Sequence, residues 1–212
     1  MIRQRVRIRF RKEGDLRLIS HRDLVRVWER LFRRAGVQLS MSEGFHPKAR
    51  MTFPSALGLG IAGLNEVMEV ELAELADADE LLQRFRALAP AGLEILNLRL
   101  LETGEKKARI ARFDYTIEVP PTRRDNVRLA IESLMSKTTH LIEREGRREP
   151  LDLRAGVERI ALHDELLMFQ LPAGATGRSV SVRPREVLTA LDLGDLETQG
   201  FFLSRTNVEL AS

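Results

Sequence analysis

Apolar and charged positions alternate near the start of the chain, with Val6, Ile8 and Phe10 set against Arg3, Arg5, Arg7 and Arg9. A period of two predicts a strand with its arginines on one face and its apolar side chains on the other. Glu13-Gly14-Asp15 predicts a turn, followed by a short hairpin partner over residues 16–19. The spacing then changes. Ser20, with Asp23 three residues on, reads as an N-cap with a capping-box-like carboxylate. Leu24, Val27, Trp28, Leu31 and Ala35 recur at helical spacing until Gly36 stops the helix. Arg22, Arg26, Arg30, Arg33 and Arg34 lie away from that stripe.

Residues 51–57 read as a strand, placed at a sheet edge by Pro54. Gly58, Gly60 and Gly63 turn the chain into a strand over 66–72, with Met68, Val70 and Leu72 sharing a face. A second helix starts near Asp77, with Glu80 at the capping-box position and Leu81, Leu82, Phe85 and Leu88 inward. Pro90 and Gly92 end it, and a strand over 94–100 turns Leu96, Leu98 and Leu100 inward. The order is β-α-β-β-α-β, that of a ferredoxin-like unit. Residues 102–111 are charged, lack an apolar stripe and read as a linker.

The pattern then repeats. Phe113, Tyr115, Ile117 and Val119 alternate as a strand, and a helix follows with Asp125 at its start and Val127, Ile131 and Leu134 on one face. Residues 138–145 and 157–162 are further strand candidates, and 165–171 pairs back through a His163-Asp164 turn. Pro184 opens a helix carrying Val187, Leu188 and Leu191, and residues 201–210 close the chain as a strand. This half has one strand segment too many for a clean copy. The expected architecture is α+β: two tandem ferredoxin-like (βαββαβ) units with antiparallel-type mixed sheets, a basic N-terminal domain over 1–104 and a C-terminal one over 105–212.

Composition adds a soluble globular character, with 43% apolar and 31% charged residues. No window reaches the roughly 18 consecutive apolar residues of a membrane span, and no apolar signal core follows the arginine-rich start, so a cytoplasmic setting is expected. The chain has no cysteine, which leaves it no disulfide, thiolate zinc site or cysteine-held iron–sulfur cluster of its own. No cofactor is expected in this chain. Charge is unevenly laid out: residues 1–60 carry 14 Lys/Arg against 5 Asp/Glu, and residues 61–105 carry 3 against 10. A local basic excess suits an anionic partner.

The arginine strand is the first candidate for chemistry. Central in the sheet, with both helices on the opposite face, it would present its arginines on an uncovered surface to phosphates or to the second domain. The plainer reading is a charge ladder against Glu69 and Glu71 of the neighbouring strand, although two glutamates cannot neutralise the arginines there. RNA-binding sheets of this topology stack bases on exposed aromatics, whereas only 5% of this chain is aromatic. Binding would therefore be led by phosphate and shape, with strong salt dependence. Nucleic-acid contact is assigned to Arg3, Arg5, Arg7, Arg9, Lys12, Arg17, Arg22, Arg26, His46, Lys48 and Arg50.

His21 is a weak catalytic candidate as a general acid or base, because Ser20, His21 and Asp23 on one helical turn cannot adopt a relay geometry. The loop Gly44-Phe45-His46-Pro47-Lys48, with Arg50, could hold a nucleotide, or it is a tight turn with Phe45 plugged into the core. The start of the first helix and this loop are expected at opposite ends of the unit, so His21 and His46 should not form a dyad. Asp152 and Arg154 point the same way if extended and would pair. The four histidines have no metal-ligand spacing, and neither a phosphate loop nor a dinucleotide fingerprint is present.

The sequence resembles a bacterial family of unknown function, the radical SAM-linked (radical SAM-associated) proteins. The resemblance is carried by residues 9–17, by Ser20-His21-Arg22-Asp23-Leu24, by Arg33-Arg34-Ala35-Gly36, and by Ser42-Glu43-Gly44-Phe45-His46-Pro47-Lys48. Leu57-Gly58-Leu59-Gly60 and Asp152-Leu153-Arg154 extend it over nearly the whole chain. Relatives more often carry an apolar residue at Arg22, and often Asn at His46. The resemblance implies a partner radical SAM enzyme, encoded beside the protein or fused in relatives, and a role in tRNA or rRNA modification. The expected function is a non-catalytic accessory protein binding structured RNA through its basic N-terminal surface, with no membrane involved. The alternatives are a metal-independent endoribonuclease using His21, or a protein-interaction scaffold without RNA.

Overall fold

The computed structural model describes residues 4–146, 148–174 and 181–211. The chain forms two compact units, Met1–Arg109 with Ala211–Ser212, and Ile110–Leu210. Both are α+β, and every strand pair described within them is antiparallel.

The first unit runs β1 (Gln4–Lys12), α1 (His21–Arg34), β2 (Met51–Thr52), β3 (Ala62–Leu72), α2 (Ala78–Leu88) and β4 (Leu93–Leu100). Its strands lie in the order β4-β1-β3, with β2 also paired to β3. Alternation on β1 buries Val6, Ile8 and Phe10 against Leu24, Trp28, Leu31 and Phe32 of α1 and Leu81 and Phe85 of α2. The centre of this core is aromatic. Phe10 meets Trp28 edge-on at 5.1 Å, Trp28 stacks on Phe32 at 5.6 Å, and Phe32 meets Phe85 at 5.2 Å. Such pairs add about 0.5–1.5 kcal/mol each beyond the area they bury.

At both helix starts the predicted N-cap forms, but the capping-box carboxylates do not return to the cap backbone: Asp23 accepts from the Ser20 hydroxyl and Glu80 pairs with Arg84. Ser20 Oγ accepts from the Asp23 backbone N–H at 3.2 Å, and Asp77 Oδ1 accepts from those of Asp79 and Glu80 at 3.0 Å. An Asp77→Ala variant should therefore lose about 1 kcal/mol in a denaturant titration. No loss would mean that the cap is replaceable by water. Gly36 ends α1 with φ +67°, a left-handed cap that disfavours any side chain. Gly92 has a second reason to lack one, since a Cβ there would sit 2.5 Å from the Glu13 carbonyl.

Three local expectations are corrected. Residues 14–18 form a turn of 3-10 helix, not a hairpin arm. Of the strand expected over 51–57, only Met51–Thr52 pairs. In β4 the inward residues are Leu93 and Ile95, joined by Leu98 and Leu100, with Leu96 as the odd one out. The cause is a register shift between Arg9, opposite Asn97, and Phe10, opposite Ile95. An extra residue in one strand inverts which parity faces the core.

The second unit runs β5 (Ile110–Glu118), α3 (Arg124–Ser136), β6 (Leu141–Ile142), β7 (Leu151–Asp152), β8 (Arg159–His163), β9 (Leu166–Pro172), α4 (Pro184–Ala190) and β10 (Ser204–Leu210). Its main strands lie in the order β10-β5-β9-β8, while β6 and β7 form a separate two-stranded sheet. That small pair is the surplus strand segment noted in the sequence. Tyr115 and Phe169, opposite one another on β5 and β9, stack at 5.4 Å. Val127 and Leu134 of α3, Val187 and Leu188 of α4, and Val208 of β10 are also buried. Arg144, just after β6, forms a bidentate pair with Glu186 of α4 at 2.7 and 2.6 Å.

Candidate nucleic-acid interface

Arg5, Arg7 and Arg9 of β1 occupy the face opposite the core, as alternation requires, but they are engaged within the protein, while Arg11 is exposed and pairs with Glu94 at 3.2 Å. Glu69 of β3 lies across from Arg7, is only 5% exposed, and takes hydrogen bonds from Arg5 at 2.7 Å and from Arg7 at 2.9 and 2.7 Å. A third donor, the Ala108 backbone N–H, reaches it at 2.9 Å. Burial pushes the Glu69 carboxyl up, but the bonds from Arg7, Arg5 and Ala108 outweigh it and hold the group below the ordinary carboxylate range.

Residues 101–109 complete the cover. The Leu101 N–H continues the pairing onto the Arg5 carbonyl at 2.8 Å. Glu105 then turns back to take both guanidinium nitrogens of Arg99, stands 3.6 Å from Arg7, and accepts Arg5 on its backbone carbonyl. The segment expected as a bare linker thus supplies the carboxylate that the β3 glutamates lacked. Glu71, the other one counted toward the ladder, lies 3.7 Å from Arg50. For Arg5 and Arg7 the charge ladder replaces the uncovered binding face. Arg9 donates to the Asn65 carbonyl, and burial together with Arg7 keeps its guanidinium below its ordinary value despite Glu66. Arg3 lies outside the described residues.

Two other cations leave the interface. Lys12 is 1% exposed, with its Nζ donating to the Ile19 carbonyl at 3.1 Å, because it continues the inward parity of Val6, Ile8 and Phe10 along β1. Arg17 is half-buried and donates to the Gly14 carbonyl.

What remains exposed and basic is α1. Arg22, Arg26, Arg30, Arg33 and Arg34 are all exposed, three and four residues apart along the solvent side of a helix whose other side carries Leu24, Trp28 and Leu31. Among the described residues, Arg22, Arg30, Arg33 and Arg34 have no carboxylate within ion-pair reach; Arg26 has Asp23 at 3.1 Å. Like charges at these spacings cost a helix about 0.2–0.5 kcal/mol per pair. Arg30, Arg33 and Arg34 were missing from the sequence-derived contact set, although the helical period already placed them on the solvent side.

The loop 42–48 is the second exposed basic feature. Ser42 and Lys48 close it reciprocally: the Ser42 N–H donates to the Lys48 carbonyl at 2.8 Å, and the Lys48 N–H to Ser42 Oγ at 2.9 Å. Phe45 does not plug the core; it is fully exposed. Gly44 precedes it with φ +118°, and His46, Pro47 and Lys48 are exposed beside it. Arg50 is half-buried, donating to the Met41 carbonyl at 3.1 Å.

The remaining motif residues make local contacts. Ser20 Oγ donates to Asp23 Oδ2 at 2.7 Å, and that bond is the main reason the Asp23 carboxyl lies below its ordinary range. His21 packs edge-on against Phe53 at 5.0 Å and has neither Ser20 nor Asp23 as a partner. Asp152 does not pair with Arg154. Its Oδ1 accepts the backbone N–H groups of His140 and Arg154, while the Arg154 guanidinium donates to the Val157 carbonyl. The turn following Asp152 prevents the extended geometry that would have aligned them.

One feature of the second unit had no sequence signal. A trough of about 610 Å³ is lined by Asp114, Arg159, His163, Met168 and Gln170, drawn from β5 and from the later β8–β9 hairpin. Among the described residues no three His, Cys, Asp or Glu side chains gather in a metal-binding group, and no helix is long and apolar enough to cross a membrane.

None of the curated proteins matches this chain. A solved structure, the crystal structure of an unknown protein from Galdieria sulphuraria, aligns over 100% of both chains at 14% identity, but its TM-score of 0.28 is too low to carry an argument. A family described as an uncharacterized protein conserved in bacteria (DUF2344) matches residues 5–184. With most of its length matched, the chain belongs to that bacterial family of uncharacterized proteins, DUF2344.

Proposed function

We propose that this protein is a non-catalytic accessory factor that binds structured RNA through the arginine side of α1, and that it serves a radical SAM enzyme acting on tRNA or rRNA. The observation that carries the RNA reading is the α1 stripe: four exposed arginines, set where like charges repel, with no carboxylate within ion-pair reach among the described residues. The radical SAM partner rests on the resemblance carried by Ser20-His21-Arg22-Asp23-Leu24 and Ser42–Lys48. The lack of cysteine agrees with it, since a cysteine-held cluster would then be supplied from outside these 212 residues. We also read both units as ferredoxin-like. Each places its four main strands, numbered in chain order, as 4-1-3-2, and the β6–β7 pair is an insertion in the second.

The test is RNA binding by the full chain at two salt concentrations, with an Arg30→Glu/Arg33→Glu/Arg34→Glu variant beside the wild type. Wild-type affinity is expected to fall steeply with salt, and the variant to bind about tenfold or more weakly, with a shallower salt slope. No RNA retained by the wild type even at low salt would overturn the reading in favour of a protein-interaction scaffold. Pull-down from cells, with bound protein and bound RNA both identified, tests the enzyme partner. The endoribonuclease alternative has less support, because Ser20 and Asp23 bond to each other and His21 packs on Phe53 with no carboxylate to orient it as a general acid or base. RNA cleavage that is lost in His21→Ala would restore it.

A further inference from the structure

Resting on the RNA reading above, we infer that the loop 42–48 is a base-stacking finger: Phe45 takes the face of an unpaired nucleobase, while His46 and Lys48 take the adjoining phosphates. The ring is fully exposed, whereas Phe10, Phe32, Phe85 and Phe169 are 1% exposed or less. A lone exposed apolar side chain is unremarkable on a flexible loop. This loop is tied, however, by the two reciprocal Ser42–Lys48 bonds and by a β-bridge between Met41 and Ala49 beneath them. The closed base carries the ring at the tip of a hairpin, away from the core cluster.

The chemistry around the ring selects the occupant. Four of the five residues from Gly44 to Lys48 offer an aromatic face, an imidazole, a rigid proline and an ammonium, and all of them are exposed. Glu43 is the only carboxylate within the loop, and it faces Arg50 at 3.9 Å. An aromatic face beside cations matches a base and its phosphate, since every base has a π-face and stacking tolerates sequence. A base inside a duplex is already stacked on both sides, so this finger acts on single-stranded, bulged or loop nucleotides. The protein then holds RNA in two ways. The α1 stripe gives sequence-independent electrostatic attachment, and the Phe45 finger selects for an unpaired position.

The experiment measures binding of the full chain to a labelled oligouridylate of about 12 nucleotides and to a duplex of equal length. It compares the wild type with Phe45→Ala, Phe45→Leu, Phe45→Trp and the α1 triple-glutamate variant. Phe45→Ala and Phe45→Leu should weaken single-strand binding about tenfold and leave duplex binding and the salt slope unchanged, while Phe45→Trp should retain it. Because the ring touches nothing in the core, thermal unfolding should be the same in all three Phe45 variants. If Phe45→Ala binds the single strand like the wild type while the α1 variant fails, the finger is overturned and the RNA reading stands. Equal losses on single strand and duplex, or retention by Phe45→Leu, also overturn stacking. If the wild type binds neither RNA, both readings fall together.

Discussion

A Trp28→Ala variant should lose about 3–5 kcal/mol of stability, the usual cost of truncating a fully buried aromatic. Trp28 is 0% exposed and lies between Phe10 and Phe32, so its removal opens a cavity where β1 meets α1. Domains are stable by only about 5–15 kcal/mol, so the first unit would be left marginal at physiological temperature. Trp28→Phe makes the informative companion. Among the described residues the indole N–H is buried with no acceptor, and phenylalanine removes that orphan donor while keeping most of the packing. Chemical denaturation of the full chain should therefore rank wild type and Trp28→Phe close together, with Trp28→Ala well below. A Trp28→Ala loss under about 1 kcal/mol would mean that the aromatic stack is not the centre of the core.

Glu69→Gln should be the next most damaging, at about 2–3 kcal/mol, because one carboxylate is the common acceptor of Arg5, Arg7 and the Ala108 N–H. The figure is below that of a fully buried pair because the two arginine side chains remain 21% and 16% exposed. The same residue predicts a pH dependence. Its folded carboxyl is held below the ordinary range, so the unfolded chain binds the proton more readily, and stability from this group rises with pH. That contribution is complete above the unfolded carboxylate value, about pH 5 and higher, and disappears as pH falls through the lower folded value. The stability gap between wild type and Glu69→Gln should accordingly be widest near neutrality and close in acid. A gap that stays constant down to about pH 2 would show that the carboxylate is not the stabilising species.

Such a role for Glu69 could not be read from the strand alone. The alternation of β1 correctly separates arginines from core residues, because side-chain direction along a strand is a local property of the backbone. Whether the arginine side meets solvent, carboxylates or another segment depends on what the chain does about a hundred residues later, where Glu105 folds back over Arg99 and Arg7. Lys12 shows the same limit at shorter range. Strict alternation from Phe10 keeps it inward, whereas charge type argues outward, and its ammonium reaches the Ile19 carbonyl. Phe45 fails in the opposite sense. Residue type argued for the core, but the closure of its loop by Ser42 and Lys48 leaves no path for the ring to return.

By itself the sequence determined the elements and their caps. The periodicities of two and 3.6, Ser20 and Asp77 at the helix starts, and Gly36 at a helix end all act within a few residues of where they stand. Only the tertiary structure decided which cations are available to a partner. Availability is set by where distant carboxylates and backbone carbonyls come to lie: the strap from Leu101 to Arg109 covers Arg5 and Arg7 of β1, while among the described residues no carboxylate comes within ion-pair reach of Arg22, Arg30, Arg33 or Arg34 on α1.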